Sequence, residues 1–325
     1  MSKTYTNEEI LERLKSLEGL LLERVFETSY SESLRTYDLI DHLRSKAHDL
    51  GLEGEGTYTA LIRDLEKLSS TIGGLINGKR GEFLAAKSLR CLRDNSVLLS
   101  NIALPNGDSF EEYDQVLITR SGIYVIEVKN YRNDVVIDDG GILRCGLRSY
   151  NVGERMREKM HALWDAVQFS SDGYMTEEDV HGMLLFVNND ASVTDLFHRV
   201  PVMRCGQIVY SIEDANRCDE KLSWEDMVRI KSVLLARRTA AEFPMPLDES
   251  RVKSELEDFL DLVEVEIAKD AAESIAAGHN EADSPTTLDN HARHSQLPSW
   301  VPAVAAVISG LAIGAGGLFL HAKKG

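Results

Sequence analysis

Hydrophobic positions fall into three regimes along the chain. From residue 7 to about 75 they recur at helical spacing. Ile10, Leu14, Leu17 and Leu21 form one apolar stripe. A second helical stretch, about 33–50, ends at Gly51, a fitting C-cap, and a glycine-rich loop over 51–56 follows. A third helix is predicted from Tyr58 to about Ile72. This region reads either as a hairpin or bundle packed on the next domain, or as a short coiled coil for self-association. Gly73-Gly74 and Gly78 mark a boundary after it.

The middle regime mixes periods. A helix over about Lys79–Arg93 precedes strand-like runs at Val97–Ala103, Glu112–Thr119 and Ile123–Lys129, with Val135–Ile137 as a further short strand. A helix from Glu154 to about Phe169 comes next, then a strand over Met183–Val187 and a strand or edge segment over Val202–Tyr210. The order helix, three strands, helix, strand predicts a mixed α/β core with a crossover helix on one face.

The last regime returns to helices. Ser223-Trp224-Glu225-Asp226 opens one with capping character, running to about Arg238. Pro244-Met245-Pro246 breaks the chain, and a long acidic helix follows over about 248–276. Residues 278–298 read as a flexible tether. Trp300–Leu320 is an uncharged run of transmembrane length, flanked by Lys323 and Lys324. Gly310 and Gly314 place small residues on one face of it, which permits pairing of two such helices in lipid. The expected organisation is a helical region 1–77, a core domain 78–217, C-terminal helices 218–277, the tether 278–298 and the membrane span 299–321.

Charge and composition refine this picture. The 325 residues carry a net charge of −17, which disfavours simple electrostatic capture of nucleic acid. The core region is nearer balance, with 26 acidic and 21 basic side chains over 79–244. Four scattered cysteines form no zinc or redox motif and are expected to be reduced. The polar N-terminus lacks a secretory apolar run, so the soluble part is expected in the cytoplasm, anchored by a single C-terminal span. No phosphate-binding glycine loop, nucleophile elbow or His-Glu-x-x-His motif is present.

The candidate chemistry lies in the predicted hairpin. Asp114 heads one strand, the turn Arg120-Ser121-Gly122 follows, and the next strand ends in Glu127-Val128-Lys129. Residues two apart on a strand share a face, so Glu127 and Lys129 project together, and antiparallel pairing can bring Asp114 beside them. Converging carboxylates can hold a divalent cation, and the lysine can orient a water or steady phosphate charge. Glu82, on the preceding helix, is a further candidate. Arg144, Arg148, Arg155, Arg157 and Lys159 form the densest basic stretch; it is either a solvated face or a phosphate contact.

The segment around 78–215 resembles the nuclease-related domain (NERD) family. The resemblance rests on Gly78-Lys79-Arg80-Gly81-Glu82, Tyr113-Asp114-Gln115-Val116, Gly122-Ile123-Tyr124-Val125-Ile126-Glu127-Val128-Lys129-Asn130 and Met183-Leu184-Leu185-Phe186-Val187-Asn188-Asn189. That family is similar to the PD-(D/E)xK nucleases, which implies an α-β-β-β-α-β core. It also implies Asp114 and Glu127 as ligands of Mg²⁺ or Mn²⁺, Lys129 as the catalytic lysine and Glu82 as completing the acidic pocket. The function expected is a membrane-tethered, metal-dependent nuclease acting on DNA or RNA. The alternative is a non-catalytic, membrane-anchored scaffold, with self-association through Gly310 and Gly314 or the N-terminal helices.

Overall fold

The computed structural model describes residues 3–26, 33–146, 148–168 and 175–280. The expected membrane span, its Gly310 and Gly314, and the tether beyond residue 280 lie outside them. Among the described residues no helix is long and apolar enough to cross a membrane.

The N-terminal stripe folds against its own chain. Helices α1 (Asn7–Val25), α2 (Thr36–Asp49) and α3 (Gly56–Leu89) pack through Leu14, Leu17, Leu21, Leu43, Leu61 and Leu65. Thr6 and Glu9 close a capping box at the start of α1. Val252, Leu256 and Phe259 of the late acidic helix join the same core. The stripe offered as a coiled-coil surface is therefore buried within the chain. Ile10, Leu14, Leu17 and Leu21 retain almost no exposure for a second copy.

The boundary expected at Gly73-Gly74 and Gly78 is crossed by one helix. α3 runs unbroken over 34 residues. Interior glycine costs a helix only about 1 kcal/mol relative to alanine, and apolar contacts on both sides of these glycines outweigh that. Leu61, Leu65, Leu68 and Ile72 face the helical core, whereas Ala85 and Leu89 face the sheet. One rod thus links the bundle to the α/β core.

The sheet is built from β2 (Val97–Asn106), β3 (Ser109–Thr119), β4 (Gly122–Lys129), β8 (Val180–Phe186) and β10 (Val202–Arg204), in the order β10-β8-β4-β3-β2. β2, β3 and β4 are antiparallel, and β4, β8 and β10 are parallel. α4 (Val152–Val167) makes the crossover from β4 to β8. With α6 (Trp224–Arg237) it covers one face through Met156, Leu163, Ile230 and Leu234. α3 and α5 (Cys205–Cys218) cover the other through Ala85, Leu89, Ile208 and Ile212. The order α3-β2-β3-β4-α4-β8 matches the expected α-β-β-β-α-β sequence of elements. Only residues 202–204 of the segment 202–210 form a strand; Ile208 and Ile212 instead bury a helical stripe of α5. Three short strands, β5 (Val135–Ile137), β6 (Ile142–Cys145) and β7 (Arg148–Asn151), together with β9 (Val193–Asp195), form a small second sheet beside the β4–α4 crossover. Ser223 caps α6 as expected, accepting the Asp226 N–H at 3.1 Å. The late helix, α7, spans Glu249–Asn280. All four cysteines are free.

The β3–β4 turn has one steric requirement. Gly122 has φ 143°, and a Cβ there would lie 2.4 Å from the Asp179 carbonyl oxygen. Gly122→Ala is expected to cost about 1–3 kcal/mol. Urea unfolding would measure it, and an unchanged midpoint would refute this reading of the turn.

Candidate active site

The polar cluster forms at the end of β4 away from that turn. β4 alternates Ile123 and Val125 into the core beneath α4, and the same alternation carries Glu127 and Lys129 to that face. Lys129 Nζ donates to Glu127 Oε1 at 2.7 Å. The β3–β4 ladder closes at Gln115–Ile126, one residue short of Asp114 and Glu127. There the Asp114 carboxylate takes the place of a backbone acceptor, and its Oδ2 receives the Val128 N–H at 2.7 Å. On its other side the β2–β3 pairing passes from Ser100–Gln115 to Ile102–Tyr113, skipping Asn101, which has φ 51°, and Asp114. The local break leaves Asp114 turned toward the cluster and not locked in the ladder.

Burial divides the two carboxylates. Desolvation and the adjacent Glu127 charge push Asp114 up to about 7. Burial would also raise Glu127, but the ammonium groups of Lys129 and Lys159 outweigh it and hold it at about 2. Neighbouring acids splitting in opposite directions is the expected behaviour of a like-charged pair in one desolvated site, where the cations sit against one member. For Lys129, burial opposes the charge, yet Glu127, Tyr150 and Asp114 raise its pKa above the ordinary lysine value. Lys129 is thus a fixed cation near neutral pH, a donor suited to holding negative charge and not a proton acceptor.

Lys159 differs most from its expected place. The sequence groups it with a basic stretch read as a solvated face or a phosphate contact, but it projects from α4 into the cluster and is almost wholly buried. Its Nζ bonds Glu127 Oε2, lies 3.9 Å from Glu111, and sits 5.9 Å from the Tyr113 ring centre. The helical period explains this: Met156, Lys159 and Leu163 lie three to four residues apart on the buried face of α4. The rest of the stretch divides. Arg144 pairs with Asp138 at 3.0 Å, and Arg155 with buried Glu111 at 2.8 Å. Arg148 and Arg157 are exposed.

The structure does not bring Glu82 into one group with Asp114 and Glu127. Among the described residues, no group of three His, Cys, Asp or Glu side chains is arranged to hold a metal ion. Glu82 rides on α3, which covers the opposite face of the sheet. Burial raises its pKa, while Asn101 and Lys79 act to lower it and Glu127 adds a lesser repulsion. It borders the cluster without sharing its face.

Two further groups belong to the cluster. Glu111 is buried two residues before Tyr113, whose hydroxyl donates to the Lys159 carbonyl at 3.0 Å. The Tyr150 hydroxyl is buried with no hydrogen-bond partner among the described residues, and Lys129 Nζ lies 5.2 Å from its ring centre. A cavity of about 10 Å³ lined by Glu127, Tyr150, Arg155 and Lys159 has the volume of one water. A wider pocket, about 490 Å³, lies elsewhere, at the turn end of the sheet beside Arg93, Arg120 and Asn216. The buried charges favour the smaller space as the chemical centre, because there carboxylates and ammonium groups meet out of water. The alternation of residues 111 and 113 was a readable pointer to Glu111. Tyr150 depends on how the small sheet folds back, which no local pattern reveals.

The mixed sheet carries an acidic strand end and Glu-x-Lys on its central strand. Residues 77–187, about a third of the chain, match the family model of the nuclease-related domain. No curated protein and no solved structure matches the chain.

Proposed function

We infer that the nuclease-related domain hydrolyses phosphodiester bonds of nucleic acid at Asp114, Glu127 and Lys129. The observation that carries this reading is the meeting of Asp114, Glu127 and Lys129 at the buried end of β4, where Lys129 Nζ donates to Glu127 at 2.7 Å and Asp114 accepts the Val128 N–H. The donor set fits Mg²⁺ or Mn²⁺, since such ions are commonly held by one or two carboxylates with water and substrate phosphate completing the shell. Asp114 and Glu127 would hold it, and once bound it supplies Lewis acidity at the phosphate and a more acidic water. Lys129 contributes a fixed positive charge where the transition state gains negative charge. Lys159 shares the Glu127 charge and sets how much of it faces a ligand. Arg148 and Arg157 are candidate phosphate contacts, and Glu82 a bordering acid.

A second reading, a non-catalytic scaffold, has its own support. Both Glu127 oxygens already accept from lysines, and the adjoining cavity admits one water. In either case the uncharged run 300–320 supports attachment to a membrane.

The test is cleavage of labelled DNA and RNA by the full-length chain with Mg²⁺ or Mn²⁺, and with both removed by EDTA. The hydrolytic reading expects cleavage that EDTA abolishes and that Lys129→Met slows by at least about a hundredfold. A folded wild type that leaves every substrate intact under all conditions favours the scaffold.

A further inference from the structure

On a chain of net charge −17, one surface stripe has the opposite character. Arg80, Phe83 and Lys87 of α3, with Arg90 at its C-cap, follow one another at three- and four-residue steps and share one side of the helix. All four are exposed, Phe83 by 64%. From Lys79 to Arg93 the sequence holds five cations and a single carboxylate, Glu82, which is half-buried. Neighbouring Lys79 pairs with Glu8 at 2.6 Å, and Arg24 and Arg44 pair with Glu257 and Glu66. Arg80, Lys87 and Arg90 make no ion pair with the described residues, although acidic side chains outnumber basic ones across the chain.

Three uncompensated cations over about 15 Å of helix repel one another and are relieved by a polyanion. The exposed ring between them selects among polyanions. A single strand offers unstacked bases, which lie on aromatic side chains while its phosphates meet the cations. A duplex keeps its base faces inside and gives Phe83 nothing to stack on.

We propose that the Arg80–Phe83–Lys87–Arg90 side of α3 is a binding track for single-stranded nucleic acid. Its link to cleavage rests on the phosphodiesterase reading; binding does not.

The experiment is fluorescence anisotropy of the full-length chain with a labelled oligothymidine and a matched duplex, in EDTA so that nothing is cut. Substituting alanine at Arg80, Lys87 and Arg90 together is expected to reduce the slope of log affinity against log salt by about 2, at roughly 0.7 per lost phosphate contact. Phe83→Ala is expected to weaken single-strand binding by about fivefold to a hundredfold, to leave the salt slope alone, and to leave duplex binding unchanged. Lys15→Ala with Lys231→Ala, two exposed cations elsewhere, should match wild type. Wild-type affinity and slope in the triple variant, an inert Phe83→Ala, or capture of phosphatidylserine vesicles but not of the oligonucleotide would each overturn the track. Stripe-dependent binding without cleavage under any divalent ion would uphold the track and sink the catalytic reading. Cleavage and binding both indifferent to the stripe would do the reverse.

Discussion

Glu127→Ala should be the most destabilising single change at the cluster, costing about 3–5 kcal/mol. Glu127 is the shared counter-charge of two ammonium groups whose side chains are 12% and 6% exposed. Removing it leaves Lys129 and Lys159 facing each other in a desolvated pocket, where neither finds equal compensation. Lys159 keeps Glu111 at the longer distance of 3.9 Å, and one oxygen of Asp114 is engaged by the Val128 N–H. The melting temperature should fall by roughly 10 °C for a unit of this size. Adding Lys159→Met to Glu127→Ala removes one orphaned charge and should recover part of the loss. A calorimetric melt of the single and double variants checks both points. If Glu127→Ala melts with wild type, the lysines do not depend on this carboxylate and the electrostatic account of the cluster is wrong.

The second large effect is on the pH dependence of stability, and Asp114 sets its direction. Its folded pKa, about 7, lies above the ordinary carboxylate value of 3.8. Between these values the folded state binds a proton that the unfolded chain has released, so stability falls as pH rises. The contribution is fully present below about pH 4, is lost up to about pH 7, and amounts to no more than about 4 kcal/mol at 1.4 kcal/mol per unit. Glu127 works in the opposite sense. Held at about 2, it stabilises the fold above its ordinary value of 4.5, and that contribution is lost as pH falls toward 2. The two windows barely overlap, so the site favours folding most near pH 4. Asp114→Asn should flatten the acid-to-neutral limb and make the variant more stable than wild type at pH 8. Urea midpoints from pH 4 to 8 decide this; parallel curves for wild type and variant would remove the raised pKa from the argument.

Legibility in the sequence followed the range of the interactions. The hairpin and its Asp114, Glu127 and Lys129 were readable because a two-residue period and a short turn fix strand faces locally. The same logic found the capping at Ser223. The continuity of α3 was not readable, since glycines at 73, 74 and 78 break helices in isolation and the two cores that hold the rod together lie far apart in sequence. Residues 202–210 misled because an apolar run as short as Ile208-Val209-Tyr210 fits either period, and contact with α3 decided for helix. Lys159 was assigned by charge density when the period of α4 should have governed: it lies in register with Met156 and Leu163. Tyr150 enters through the pairing of β6 with β7, a tertiary event with no local signature.

The central claim is that the Asp114–Glu127–Lys129 cluster cleaves nucleic acid, and one comparison reaches it directly. Wild type and Asp114→Asn are assayed at equal folded concentration on one labelled single strand with Mg²⁺, folding being verified by their melts. The nuclease account predicts measurable cleavage by wild type and a loss of at least about a hundredfold in the variant. Equal rates in the two proteins would contradict it.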